Sequence, residues 1–207
     1  MPTHIAIGDI HGMSYLLGAL LAKLPDEGEL VFLGDYIDRG PDSKEVISYL
    51  QYIAADRPSI FLRGNHEQWA LETPSGDPHD NPYWLHNGGL QTYHSYQGPI
   101  EDAHLAFLQH TRLYYETAEY IFVHAGLTPG LSPADTDAFT LLWTREGFLD
   151  ATYDWGKRVV HGHTPAVNGE PDVRANRIGI DTGAAHGGRL TAVLLPEVEF
   201  VAVRERY

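Results

Sequence analysis

The chain of 207 residues contains no cysteine, which excludes disulfides, thiolate metal ligands and a cysteine nucleophile. It has no stretch near 18 consecutive apolar residues and no basic, apolar leader ahead of its first strand-like run, so a soluble, cytoplasmic protein without a membrane partner is expected. Positive charge is scarce: 14 Lys and Arg stand against 28 Asp and Glu, a formal net charge of −14. No Lys/Arg cluster offsets this, so binding to a nucleic-acid backbone, which relies on neutralising phosphates, is not expected. Repeats, low-complexity tracts and Pro-rich or Gly/Ser linkers are missing as well. The length suits one domain over residues 1–207.

What the chain does have is a recurring pattern. Five short apolar runs end in a Gly beside an Asp, Asn or His: IAIGDIHG (5–12), LVFLGDYIDRG (30–40), IFLRGNHE (60–67), IFVHAG (121–126) and VVHGHT (159–164). Apolar, β-branched runs of this length read as strands covered on both faces, and the loops at strand ends are where open α/β sheets present ligands. Glycine there permits sharp turns and close backbone approach. Two Asp, an Asn amide and several imidazoles at such turns form a mixed N/O ligand set for metal ions.

Between the first three runs, segments 14–24 and 41–56 carry apolar residues at helical spacing, with Ser14 as the expected N-cap of the first and Ser43 or Asp42 of the second. These are βαβ units with parallel strands. Segment 101–113 reads as a helix, 114–126 as a hairpin, and 177–183, 189–196 and 199–205 as three further strands. A parallel first half and an antiparallel-leaning second half suit an α/β/β/α sandwich, two mixed β-sheets flanked by helices. Segment 73–98, irregular and rich in Pro, Asp and Asn toward its start, is expected to form a small cap beside the site.

GDIHG, GDYIDRG, RGNHE, VHAG and HGHT, in that order over positions 8–164, resemble the signature of the metal-dependent phosphoprotein phosphatase family within the calcineurin-like metallophosphoesterases. LLWTRE (141–146) and IDTGAAHGGRLTAV (180–193) resemble segments of its bacterial serine/threonine phosphatases. The resemblance implies the same sandwich fold. It implies two divalent ions, with Asp9 and His11 serving one, Asp35 bridging both, and Asn65, His124 and His163 completing the second. Mixed N/O donors suit Mn²⁺, Fe²⁺ or Zn²⁺, and the family analogy favours Mn²⁺. His66 would protonate the leaving oxygen, Asp38 would orient His66, and Arg39 and Arg145 would hold the phosphate. Two divalent ions, two Asp, a hydroxide and two Arg leave a local charge of about +3, enough to hold an anion in an acidic protein.

The reaction implied is hydrolysis of a phosphoester by direct attack of a metal-bridging hydroxide. The expected substrate is phosphoserine or phosphothreonine in proteins, with phosphotyrosine and small phosphoesters as further substrates. The alternative is a dinucleoside polyphosphate such as diadenosine tetraphosphate, because that enzyme group shares the first three motifs. A noncatalytic metal-binding scaffold is the third reading. Tyr83, Trp84, Tyr93 and Tyr96 in the cap are expected to select the substrate or to pack the cap's own core. The SAPNY-type loop of the eukaryotic phosphatases is missing after the last metal histidine. His161 and His186 have no assigned role, and His4, His79, His86, His94, His104 and His110 read as surface or core residues.

Overall fold

The computed structural model describes residues 3–205. Its elements in chain order are β1 (His4–Ile7), α1 (Ser14–Leu21), β2 (Glu29–Phe32), α2 (Ser43–Asp56), β3 (Ser59–Phe61), α3 (Asn65–Leu71), α4 (Pro82–Trp84) and α5 (Leu90–Tyr96). There follow α6 (Asp102–Gln109), β4 (Tyr114–Glu116), β5 (Tyr120–Val123), α7 (Ala138–Trp143), α8 (Glu146–Leu149), β6 (Arg158–His161), β7 (Asp172–Val173), β8 (Arg177–Gly179), β9 (Leu190–Leu195) and β10 (Glu199–Val203).

Side-chain alternation along the strands sets the layers. In β1, Ile5 and Ile7 face α1 and α2, while Ala6 faces the second sheet. In β2, Leu30 and Phe32 take the helix side, while Val31 and, just beyond the strand, Leu33 take the sheet side. In β5, Phe122 turns to the central layer, and Ile121 and Val123 turn outward onto Leu141 and Phe148. A strand buried on both faces must be apolar at every position, which is why these runs read as continuous rather than alternating. The result is the expected α/β/β/α sandwich.

The topology departs from a parallel half and an antiparallel half. One sheet has the order β10-β9-β1-β2-β3 and the other β4-β5-β6-β8-β7. Strands β1, β2 and β3 are parallel, and β9 and β10 join them antiparallel at the β1 edge. In the second sheet β5, β6 and β8 are parallel, with β4 and β7 antiparallel at its edges. The last two strands therefore return to the first sheet, and each sheet has its own parallel centre. All five ligand-type motifs follow strands of these centres, so their C-terminal ends can face one crevice.

The helix starts also differ from expectation. Met13 holds the cap position of α1, and Ser14 is its first residue, with its hydroxyl donating to the Asp42 carboxylate at 2.9 Å. Asp42 sits at the cap of α2 but makes no side-chain cap bond. Ser43 Oγ instead accepts the Asp38 N–H at 3.0 Å. The two helix starts share polar groups with each other and with the 35–40 loop, so local capping is displaced by tertiary bonds. No helix among the described residues is long and apolar enough to cross a membrane.

Candidate metal centre

The turns after β1, β2, β3, β5 and β6 bring Asp9, His11, Asp35, Asn65, His124 and His163 together, each at most 6% exposed. Glycine makes the approach possible: a Cβ on Gly162 would lie 2.0 Å from Asp9 Oδ1, and one on Gly64 would lie 2.1 Å from Asp35 Oδ1. The turns themselves are strained. Seven described non-glycine residues have positive φ, and five of them are His11, Asp35, Asp38, Arg39 and His163. Each such position costs on the order of 1 kcal/mol.

One carboxylate oxygen is the hub. Asp35 Oδ2 lies 3.4 Å from His11 Nε2, 3.5 Å from His124 Nε2 and 3.9 Å from His66 Nε2. Two groups could each hold a metal ion, His11–Asp35–His66 and Asp35–His124–His163, and Asp35 belongs to both. The imidazoles are oriented from behind: His11 Nδ1 donates to the Ile37 carbonyl and His124 Nδ1 to the Leu33 carbonyl, each at 2.9 Å. With Nδ1–H used there, Nε2 carries the lone pair, the form a metal requires. The Asn65 amide oxygen faces His124 Nε2 at 2.9 Å. Two lone pairs converging at that distance suit a shared cation.

Charge states agree with this chemistry. Burial holds His11 and His124 below their ordinary value, and burial with the neighbouring His124 brings His163 down to about 3. Burial alone would raise Asp35, but the surrounding imidazoles, His124 foremost, hold its carboxyl far below the usual range. Neutral imidazoles around an ionised carboxylate are what a divalent cation needs. Arg39 Nη1 reaches His11 Nε2 at 2.5 Å and Arg145 Nε reaches His163 Nε2 at 3.2 Å, so one guanidinium lies over each group.

Asp9 is in the same buried cluster but in neither three-residue group. Its carboxylate accepts the His163 N–H at 3.0 Å, and burial, Asp181 and Asp35 together push its pKa up. Asp181, to which the motifs assign no role, lies in the same cluster. It is 5% exposed, follows β8 in the same way that the other motifs follow their strands, and burial pushes it up to about 6. The signal was available in RIGIDTG, an apolar run ending in Asp. Glu67, the last residue of RGNHE, likewise has no role assigned by the motifs. Its carboxylate accepts the N–H groups of Asp35, Tyr36 and Gly64 at 2.7, 2.8 and 2.9 Å, fixing the turn that carries Asp35. A Glu three residues after a helix N-cap signals such a bond.

His66 and Asp38 meet as expected, with His66 Nδ1 donating to Asp38 Oδ2 at 2.6 Å. Burial would lower His66, yet Asp35 and Asp38 raise it above its ordinary value. His66 Nε2 is buried without a hydrogen-bond partner and faces Asp35. The four aromatics expected to select the substrate or pack the cap's core lie in different surroundings. Trp84 is fully buried and donates through Nε1 to Asp38 at 2.9 and 3.0 Å. Tyr96 bonds His104 at 2.6 Å, Tyr93 packs edge-on to His79, and Tyr83 is 76% exposed. Thr92, not foreseen, donates to Asp38 Oδ1 at 2.6 Å. His186 is exposed beside Arg39, in a cleft also lined by His86 and Gln91. His161 is 2% exposed and lies in the wall of a separate cavity of about 440 Å³. Its Nδ1 bonds the Gly162 carbonyl at 3.1 Å.

A family model described as calcineurin-like phosphoesterase matches residues 3–189. The chain belongs to the calcineurin-like phosphoesterase family. Members of this family use a dinuclear metal centre, and the His11, His124 and His163 imidazoles gathered around the Asp35 carboxylate fit one. Among curated relatives, the bis(5'-nucleosyl)-tetraphosphatase PrpE [asymmetrical] of Oceanobacillus iheyensis is 31% identical over 97% of this chain and 91% of its own length. The serine/threonine-protein phosphatase 1 of Salmonella typhimurium is 33% identical over 89% of this chain and 88% of its own. Among solved structures, one assigned provisionally as a diadenosine tetraphosphatase has a TM-score of 0.75 at 20% identity, covering 97% of this chain and 92% of that one. A protein serine/threonine phosphatase from Saccharomyces cerevisiae has a TM-score of 0.68 at 16% identity, covering 100% and 82%. These two establish the fold of this calcineurin-like phosphoesterase and leave its substrate to other observations.

Proposed function

We propose that this calcineurin-like phosphoesterase hydrolyses dinucleoside tetraphosphates asymmetrically, adding one water across one P–O–P bond to give a nucleoside triphosphate and a nucleoside monophosphate. The observation that carries this reading is similarity along nearly the whole chain to asymmetrical bis(5'-nucleosyl)-tetraphosphatases, with 97% of this chain and 91% of the Oceanobacillus protein covered. It reverses the order expected from motifs alone, which put phosphoprotein first. Asp9, His11, Asp35, Asn65, His124 and His163 would hold two divalent ions, Mn²⁺ by family analogy and Fe²⁺ or Zn²⁺ by donor type. Bound there, the ions would supply an activated water and charge neutralisation. Arg39 and Arg145 hold non-bridging phosphate oxygens as planar donor forks. His66 gives its proton to the leaving oxygen and Asp38 fixes the ring that delivers it.

Parallel rates with Mn²⁺ on diadenosine tetraphosphate and on a phosphoserine peptide test the reading, with products resolved by chromatography. A larger kcat/KM for the dinucleotide and equal amounts of ATP and AMP are expected; ADP as the only product, or a preference for the peptide, would overturn it. The identity with the Salmonella protein phosphatase supports the second reading, a phosphoserine/phosphothreonine monoesterase using the same residues.

A further inference from the structure

Three aromatic rings continue outward from the metal centre. Trp69 lies edge-on to His66 with centroids 5.0 Å apart, and Trp143 lies edge-on to His163 at 6.4 Å. The two indoles meet at 4.7 Å, and Phe139 lies nearly parallel to Trp143, 22° between planes and 6.2 Å between centroids. The row therefore starts beside one imidazole from each metal-binding group and ends at Phe139, which is 71% exposed. Phe139 and Trp143 are four residues apart on α7 and share one face, while Leu141 and Leu142 are the buried side of that helix. The fold gains little from an aromatic at position 139, since the core does not receive it.

The same short segment carries the phosphate clamp. Arg145, two residues past Trp143, reaches His163 Nε2 at 3.2 Å. A cation for phosphate and a π-face thus sit side by side, the arrangement that binds a phosphate bearing a nucleoside. Bases of any identity can stack on aromatic faces, because every base has a π-face.

We infer that the Trp69–Trp143–Phe139 row is the stacking platform for one purine base of the substrate, held there while its phosphates lie between Arg39 and Arg145. This rests on the dinucleotide reading for its biological meaning but is tested without turnover. Calorimetric titration of the Mn²⁺-loaded protein with AMP and with ribose 5-phosphate compares ligands that differ only in the base. AMP is expected to bind at least tenfold more tightly. In Phe139→Ala the ratio of the two affinities should fall at least fivefold, and in Phe139→Trp it should recover, because the exposed position tolerates either residue. A ratio near one in the wild type, or a ratio unmoved by Phe139→Ala, overturns the platform. If the ratio behaves as expected while diadenosine tetraphosphate is not hydrolysed, the substrate reading fails and the base site stands; turnover with an unmoved ratio gives the reverse.

Discussion

Asp38 receives more hydrogen bonds than orienting one imidazole requires. His66, Trp84 and Thr92 all donate to its fully buried carboxylate, and Thr92 Oγ1 and Ser43 Oγ also accept its N–H. A buried carboxylate must be saturated in this way, since each donor lost leaves an acceptor unpaired at a cost of about 1–3 kcal/mol. Trp84 and Thr92 therefore act on His66, the proposed proton donor, through Asp38. Trp84→Phe and Thr92→Val, which keep the shape, should each lower kcat about tenfold on esters with poor leaving groups such as alkyl phosphates, and far less on 4-nitrophenyl phosphate; Thr92→Ser should restore the loss. An equal loss on both substrates would mean a general structural fault. His66→Asn should show the same selectivity more steeply while retaining metal by elemental analysis, whereas Asp35→Asn should lose metal, because its oxygen is the centre on which three imidazoles converge.

At the level of elements, the turn glycines are as much a part of the site as the ligands. Gly162 has no room for a methyl group against Asp9 Oδ1. Gly162→Ala should displace either Asp9 or the His163 turn and reduce bound metal to below half of the wild-type ratio, with a smaller effect on thermal stability measured in chelator. These strand-end turns were legible in the sequence because strand, glycine and ligand are adjacent in it. The return of β9 and β10 to the β1 edge was not, because a strand's apolar pattern records that it is buried and not which neighbour it pairs with; Ile5 meets Leu194 across the sheet. The bonds from Trp84 and Thr92 to Asp38 were hidden for the same reason, spanning 46 and 54 residues. Asp181 carries the same signal as its neighbours, an apolar run ending in an Asp near glycine in RIGIDTG.

Over the whole molecule, buried neutral histidines tie stability to pH. Burial lowers His161 from its ordinary 6.5 to about 4, and His11, His124 and His163 are lowered too. A histidine whose folded pKa is depressed takes up a proton first in the unfolded chain as pH falls. Its contribution is therefore full above about 6.5 and is lost as pH drops toward the folded value. For His161 alone this amounts to on the order of 2 kcal/mol between pH 8 and pH 5. In metal-stripped protein, the stability difference between wild type and His161→Gln in urea unfolding should shrink by roughly that amount from pH 8 to pH 5; a difference that does not change with pH would place the titration elsewhere. The five left-handed residues of the centre point to a related tension. At His11, Asp35, Asp38, Arg39 and His163 the backbone would relax if the residue were glycine. A selection for heat tolerance alone, without a demand for turnover, would therefore drift toward molecules that melt later and hydrolyse nothing, and any laboratory evolution of this protein must reward both properties in the same round.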